Sequence, residues 1–136
     1  MPTLTRWFLR AAMVSLVAAF AIGLITSLPS LADVALAWRP VYIHLIVLGW
    51  ASEMIFGVAY WMFPRKDPLD LARVPWAGWI CFSAINAGLV VRVFSEPALA
   101  MHPTPLAQTG ALVAALLQLV AVVAFVVLAW PRVIGR

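Results

Sequence analysis

The chain has only two histidines, His44 and His102, and each stands at the edge of a long apolar stretch among groups able to carry charge. Arg39 and Tyr42 lie just before His44; Arg92 and Glu96 come before His102, and Met101 adjoins it. Histidine is the usual axial ligand of a b-type haem, and arginines meet its propionates. His44, His102, Arg92 and Arg39 therefore have the residue types of a haem site, with the two histidines as candidate iron ligands. The plainer reading of a helix-end histidine is an interfacial residue bonded to water. Imidazole and thioether also suit cuprous ion, which makes His44, Met101 and His102 a lesser candidate copper site. Glu96 follows Arg92 by four residues and can pair with it on one helix face.

A second set, Glu53, Asn86 and Gln118, falls deep inside apolar runs. An ionised carboxylate at the centre of a bilayer is costly, so Glu53 must face protein or be protonated. Asn86 and Gln118 are its expected hydrogen-bond partners at the same depth. Two readings stand side by side: a polar layer that fixes helix register or joins subunits, and a proton-accepting site.

The elements that carry these residues are membrane-spanning helices. Of 136 residues, 65% are hydrophobic and 10% charged, and the mean hydropathy is +1.05, so lipid is the solvent for most of the surface. Ten prolines fall between the apolar runs, where a residue that lacks a donor and clashes with the preceding turn marks helix ends. The runs are Trp7–Leu28, Tyr42–Phe63, Trp76–Ser95 and Ala107–Trp130. Each has about twenty residues, enough to cross a hydrocarbon core of about 30 Å. Period-two alternation is absent, and helices satisfy their own backbone in lipid. The fold expected over 1–136 is a single all-α domain, a four-helix transmembrane bundle of up-down-up-down connection. Residues 1–37 also resemble a secretory signal ending in Ala35-Leu36-Ala37, but the apolar run exceeds a usual signal core and reads as a retained first span. Cys81 has no partner for an intrachain disulfide.

Charge sets the orientation. Arg6, Arg10, Arg65, Lys66, Arg73, Arg132 and Arg136 fall at the ends and in the second loop, against Arg39 alone in the first loop. That bias predicts both termini and the 64–75 loop on the cytoplasmic side of a bacterial-type inner membrane. Trp7, Trp61, Trp76, Trp79 and Trp130 mark the same side as an aromatic belt. The scattered basic residues form no nucleic-acid patch.

On span two, at about 100° per residue, His44, Leu48, Ala51, Ile55 and Met62 share one side, and Gly49, Glu53, Gly57 and Tyr60 lie opposite. The glycines admit a close helix, from this chain or from another copy, and take Glu53 into that contact. The stretch His44-Leu-Ile-Val-Leu-Gly49-Trp50-Ala-Ser-Glu-Met-Ile55-Phe56-Gly57-Val-Ala-Tyr60-Trp-Met-Phe-Pro64-Arg65 resembles the second transmembrane helix of haem–copper oxidase catalytic subunits. It is most similar to the C-type oxidase and nitric oxide reductase branch, and the chain looks like a short four-helix relative. The early histidine, the Gly-Trp pair, the Ile-Phe-Gly segment and the closing Pro-Arg carry the resemblance over about 22 residues.

The resemblance implies that His44 is an axial ligand of a low-spin haem. It does not extend to oxygen or nitric oxide reduction by this chain alone, because a three-histidine copper site cannot be built from two histidines. The second axial ligand is left to His102, to a residue of a second copy, or to an open position. The function expected is that of a small b-type haem protein in electron transfer or haem/redox sensing, a homo-oligomer with a redox partner. The alternative is a cofactor-free accessory, assembly or self-associating membrane protein of the same fold.

Overall fold

The computed structural model describes residues 1–63 and 75–133. Arg65, Lys66, Arg73 and Arg136, four of the basic residues that set the expected orientation, lie outside the described residues. Helix α1 runs Thr3–Thr26, and a 3-10 turn, Pro29–Leu31, comes after it. The second span is continuous but built in three pieces: α2 (Ala32–His44), a π-helical stretch (Leu45–Ser52) and α3 (Glu53–Met62). Helices α4 (Pro75–Met101) and α5 (Pro105–Val133) complete the fold. All four spans are long and apolar enough to cross a bilayer, and no strand occurs among the described residues. The chain is an all-α, multi-pass membrane protein.

The helices outrun the boundaries expected from proline. Pro40, Pro97 and Pro131 lie inside helices, so the second span starts at Ala32, α4 continues to Met101 and α5 to Val133. Each proline deprives the carbonyl four residues earlier of its donor. These positions sit within about three turns of a helix end, where water at the membrane surface serves the freed carbonyl.

Contacts fix the antiparallel register. Gly23 abuts Tyr42, Ser15 abuts Gly49, and the Phe8 ring meets Phe56 edge-on at 6.4 Å, which runs α1 against the second span. His44 meets Glu96, Gly49 meets Leu89 and Tyr60 meets Gly78, which runs the second span against α4. Gly110 with Ser95, Gly88 with Gln118, and Gly78 with Leu128 do the same for α4 and α5. The bundle is thus two antiparallel pairs, joined mainly by the second span on α4; α5 packs almost wholly on α4.

In lipid, burial of apolar surface does not drive helices together, so close packing of small side chains does that work. Ala12, Ala19, Ala114 and Ala121 are completely buried. Ala107, Ala114, Ala121 and Leu128 recur every seven residues along α5, the seam spacing of left-handed helix packing. Toward the end where both termini lie, Phe56 stacks on Phe125 at 4.0 Å and Phe8 meets Phe82 edge-on at 5.2 Å. Val17, Phe20, Leu24, Phe94 and Leu106 project outward as lipid-facing surface. Trp7, Trp61, Trp76, Trp79 and Trp130 are exposed around the terminal end, as an interfacial belt requires.

Candidate functional site

His44 closes the last α-helical turn before the backbone widens into the π stretch. Single π turns concentrate at functional positions, and each one rotates the two flanking helical segments relative to one another. The Ser52 hydroxyl donates to the Val47 carbonyl five residues back, at 2.8 Å, which helps to satisfy the widened turn. Nothing in the composition of Leu45–Ser52 marks this feature, and a uniform rotation of about 100° per residue misses it.

The imidazole is held from two sides. Its Nδ1 lies 2.8 Å from the Pro40 carbonyl oxygen and 3.2 Å from Glu96 Oε1. A carbonyl oxygen only accepts, so Nδ1 carries the hydrogen and, in the neutral ring, Nε2 keeps the lone pair. Glu96 in turn accepts from Arg92 Nη1 on its own helix, the pair expected from the four-residue spacing. Arg92 also donates its Nε–H to Gln118 Oε1 on α5 at 2.8 Å. One polar chain, His44–Glu96–Arg92–Gln118, therefore ties the second span, α4 and α5. Glu96 Oε2, Gln118 Nε2 and the Ser95 hydroxyl are buried without a hydrogen-bond partner among the described residues.

The other expected site residues lie apart from one another. Arg92 is engaged with Glu96 and Gln118 and leaves only its second terminal nitrogen for any other partner. Arg39 is exposed and lines a groove of about 520 Å³ with Tyr42, Gly23, Thr26 and Ser27, between α1 and α2. His44 is not part of that groove, because five helical residues turn the two side chains about 140° apart. His102 is exposed just beyond α4, where its backbone N–H bonds the Ala98 carbonyl at 2.8 Å, and no hydrogen bond or ion pair joins it to His44. The partner that the sequence alone leaves unassigned is Glu96 for His44; equal depth is the signal that points to it.

The deeper set is also rearranged. Gly49, Glu53 and Gly57 are all buried, and the helix that approaches them is the chain's own α1, through Ser15 and Phe8. The stripe is thus an intrachain contact, and the second-copy alternative loses this surface. Asn86 stands beside Glu53, as expected, and one of its two Nδ2 hydrogens goes to the Phe82 carbonyl at 2.9 Å. Gln118 serves Arg92, which leaves Asn86 as the expected amide that stands beside Glu53.

Comparison with known proteins yields no matching family model, no matching curated protein and no matching solved structure. Among the described residues no three His, Cys, Asp or Glu side chains gather as a metal-ion site. A haem iron needs only one or two protein ligands.

Proposed function

We propose that this chain is a small b-type haem protein of a bacterial-type inner membrane, with both termini cytoplasmic, working in electron transfer or haem/redox sensing. One observation carries the reading: the His44 ring has its Nδ1–H committed to the Pro40 carbonyl and the Glu96 carboxylate. Iron- and zinc-ligating histidines need that backing, because it fixes the tautomer, aims the ring and raises the basicity of the other nitrogen. At the iron the residues fit. Around it the fit is partial, since Arg92 is engaged elsewhere, Arg39 opens on another groove, and His102 stands apart.

In this reading His44 would hold the iron through Nε2, with Glu96 orienting the imidazole. Arg92 balances the Glu96 charge, and Gln118 holds Arg92 in place. The bound haem would supply reversible one-electron exchange. Any further ligand to the iron would come from a second copy, which is why a homo-oligomer and a separate redox partner belong to the proposal. Like the oxidase resemblance, this is a proposal built on the second span.

The test is a reduced-minus-oxidised visible spectrum of the purified protein, with a pyridine haemochrome assay. Sharp α and Soret bands that vanish in His44→Ala support the reading; haem content that survives that change removes His44 as the ligand. The second reading, a cofactor-free accessory or assembly protein, has its own support. The His44–Glu96–Arg92–Gln118 chain by itself ties three spans together. Folded, haem-supplemented protein that stays colourless would favour it.

A further inference from the structure

The groove between α1 and α2 is a second polar site, and the His44 chain does not use it. Gly23 abuts Tyr42, and in an antiparallel pair that register sets Thr26, the last residue of α1, level with Arg39. There α1 stops, while α2 reaches outward for about two more turns, to Ala32. The step between the two helix ends is the groove of about 520 Å³, walled in part by the small residues Gly23, Ala32 and Ala35. A volume of that size admits a small-molecule group.

Its polar residues divide into acceptors and donors. The Thr26 hydroxyl donates to the Ile22 carbonyl at 2.8 Å and the Ser27 hydroxyl to the Gly23 carbonyl at 2.7 Å, which closes the end of α1. A hydroxyl has one hydrogen, so toward the groove these two oxygens only accept. Arg39 and Tyr42 are the groove residues whose side chains donate. The guanidinium fork matches two oxygens of one phosphate and keeps its charge. A ligand that satisfies all four side chains is an anionic phosphate ester that also carries a hydroxyl.

Depth decides where such a ligand comes from. Arg39 is the one Lys or Arg between the first two apolar runs, three residues outside Tyr42, where the second run begins. That is the level of the lipid phosphates at the edge of the hydrocarbon core. Phe20 and Leu24, both strongly exposed, continue the Gly23/Ser27 face of α1 toward the bilayer centre. An acyl chain hanging from a phosphate in the groove would lie along them, and a free anion would have no use for them.

We propose that this groove binds an anionic phospholipid with a hydroxyl-bearing headgroup, of the phosphatidylglycerol kind, from the leaflet at this end of the bundle. Arg39 pairs with the phosphate, Tyr42 donates to one of its oxygens, and Thr26 and Ser27 accept from the headgroup hydroxyls. A choline headgroup lacks the hydroxyl and sets a second cation beside Arg39, so it fits less well. Binding requires neither haem nor a second copy of the chain.

The test is native mass spectrometry of the full chain, stripped of lipid in mild detergent and titrated with phosphatidylglycerol or with phosphatidylcholine of the same acyl chains. Expected is that the first phosphatidylglycerol binds several-fold more tightly than the first phosphatidylcholine. Arg39→Gln should abolish that preference, and so should Ala35→Trp, which fills the groove, with helicity by circular dichroism unchanged. Arg10→Gln, at the opposite end of the bundle, should leave it intact. Equal binding of the two lipids overturns the proposal, as does a preference that survives Arg39→Gln or disappears in Arg10→Gln. Displacement of the bound lipid by inorganic phosphate would give the groove to a free anion and overturn the lipid assignment.

Discussion

Gln118, at the middle of α5, accepts the Nε–H of Arg92 at 2.8 Å and so serves the outer polar chain instead of Glu53. Arg92 is largely buried, and its Nε–H has no other acceptor. Removing one partner leaves a charged donor unsatisfied in a medium that cannot hydrate it, which costs about 1–3 kcal/mol. Gln118→Leu is therefore expected to destabilise the folded state by that amount, read from thermal unfolding in mild detergent. Arg92→Leu combined with Gln118→Leu should cost less than the sum of the two single changes. Strict additivity in that cycle would mean the contact contributes nothing.

Glu96 supplies a prediction that separates ligation from scaffolding. A carboxylate accepting from Nδ1–H pushes electron density into the ring and favours the ferric state of a bound haem. Glu96→Gln keeps an acceptor but loses the charge. It should leave haem content near wild type and raise the midpoint potential, whereas His44→Ala should abolish the Soret band. Spectroelectrochemical titration reads both. A potential that stays put in Glu96→Gln would show that the 3.2 Å approach of Glu96 to His44 carries no influence to the iron.

These residues show what was legible in the sequence. Depth was legible: Glu53, Asn86 and Gln118 all lie inside spans, and His44 and Glu96 do lie at one level. Azimuth was not. Four apolar helices of similar hydropathy can be arranged so that α5 touches α3 or avoids it, and nothing in their composition decides between the two. In the fold α5 lies on α4, so Gln118 faces Arg92, whose long side chain reaches across a full turn. The π stretch was equally hidden, because it depends on backbone bonding and not on a signature residue. Proline located the gaps but not the ends, since Pro40, Pro97 and Pro131 are absorbed where water can reach the freed carbonyls.

The glycine stripe gives a test of the fold itself. A Cβ built on Gly49 would stand 2.7 Å from both Cβ and Oγ of Ser15, so α1 must move or Ser15 must shrink. Gly49→Ala is expected to cost about 1–3 kcal/mol as overpacking. Ser15→Gly in the same chain removes both clashing atoms and should restore most of it. At Gly57 the obstacle is the Cβ of Phe8 at 2.8 Å, which no small trim relieves without losing the aromatic ring. Gly57→Ala should therefore resist rescue by Phe8→Leu. Equal rescue at both positions, read by thermal unfolding, would contradict the packing of α1 on the second span.

Orientation can be checked with little background because the one native thiol, Cys81, is 1% exposed inside the bundle. A cysteine introduced at Pro2 or at Val133 probes the terminal end, and one at Ser27 probes the opposite end, where the side chain is exposed. The excess of Lys and Arg at the terminal end and in the 64–75 loop predicts that this end stays inside. In intact cells a membrane-impermeant maleimide should label the Ser27→Cys variant and spare the other two until the membrane is opened. Labelling of Pro2→Cys and Val133→Cys from outside, with Ser27→Cys protected, would invert the topology. The His44 chain would then sit on the cytoplasmic half of the membrane.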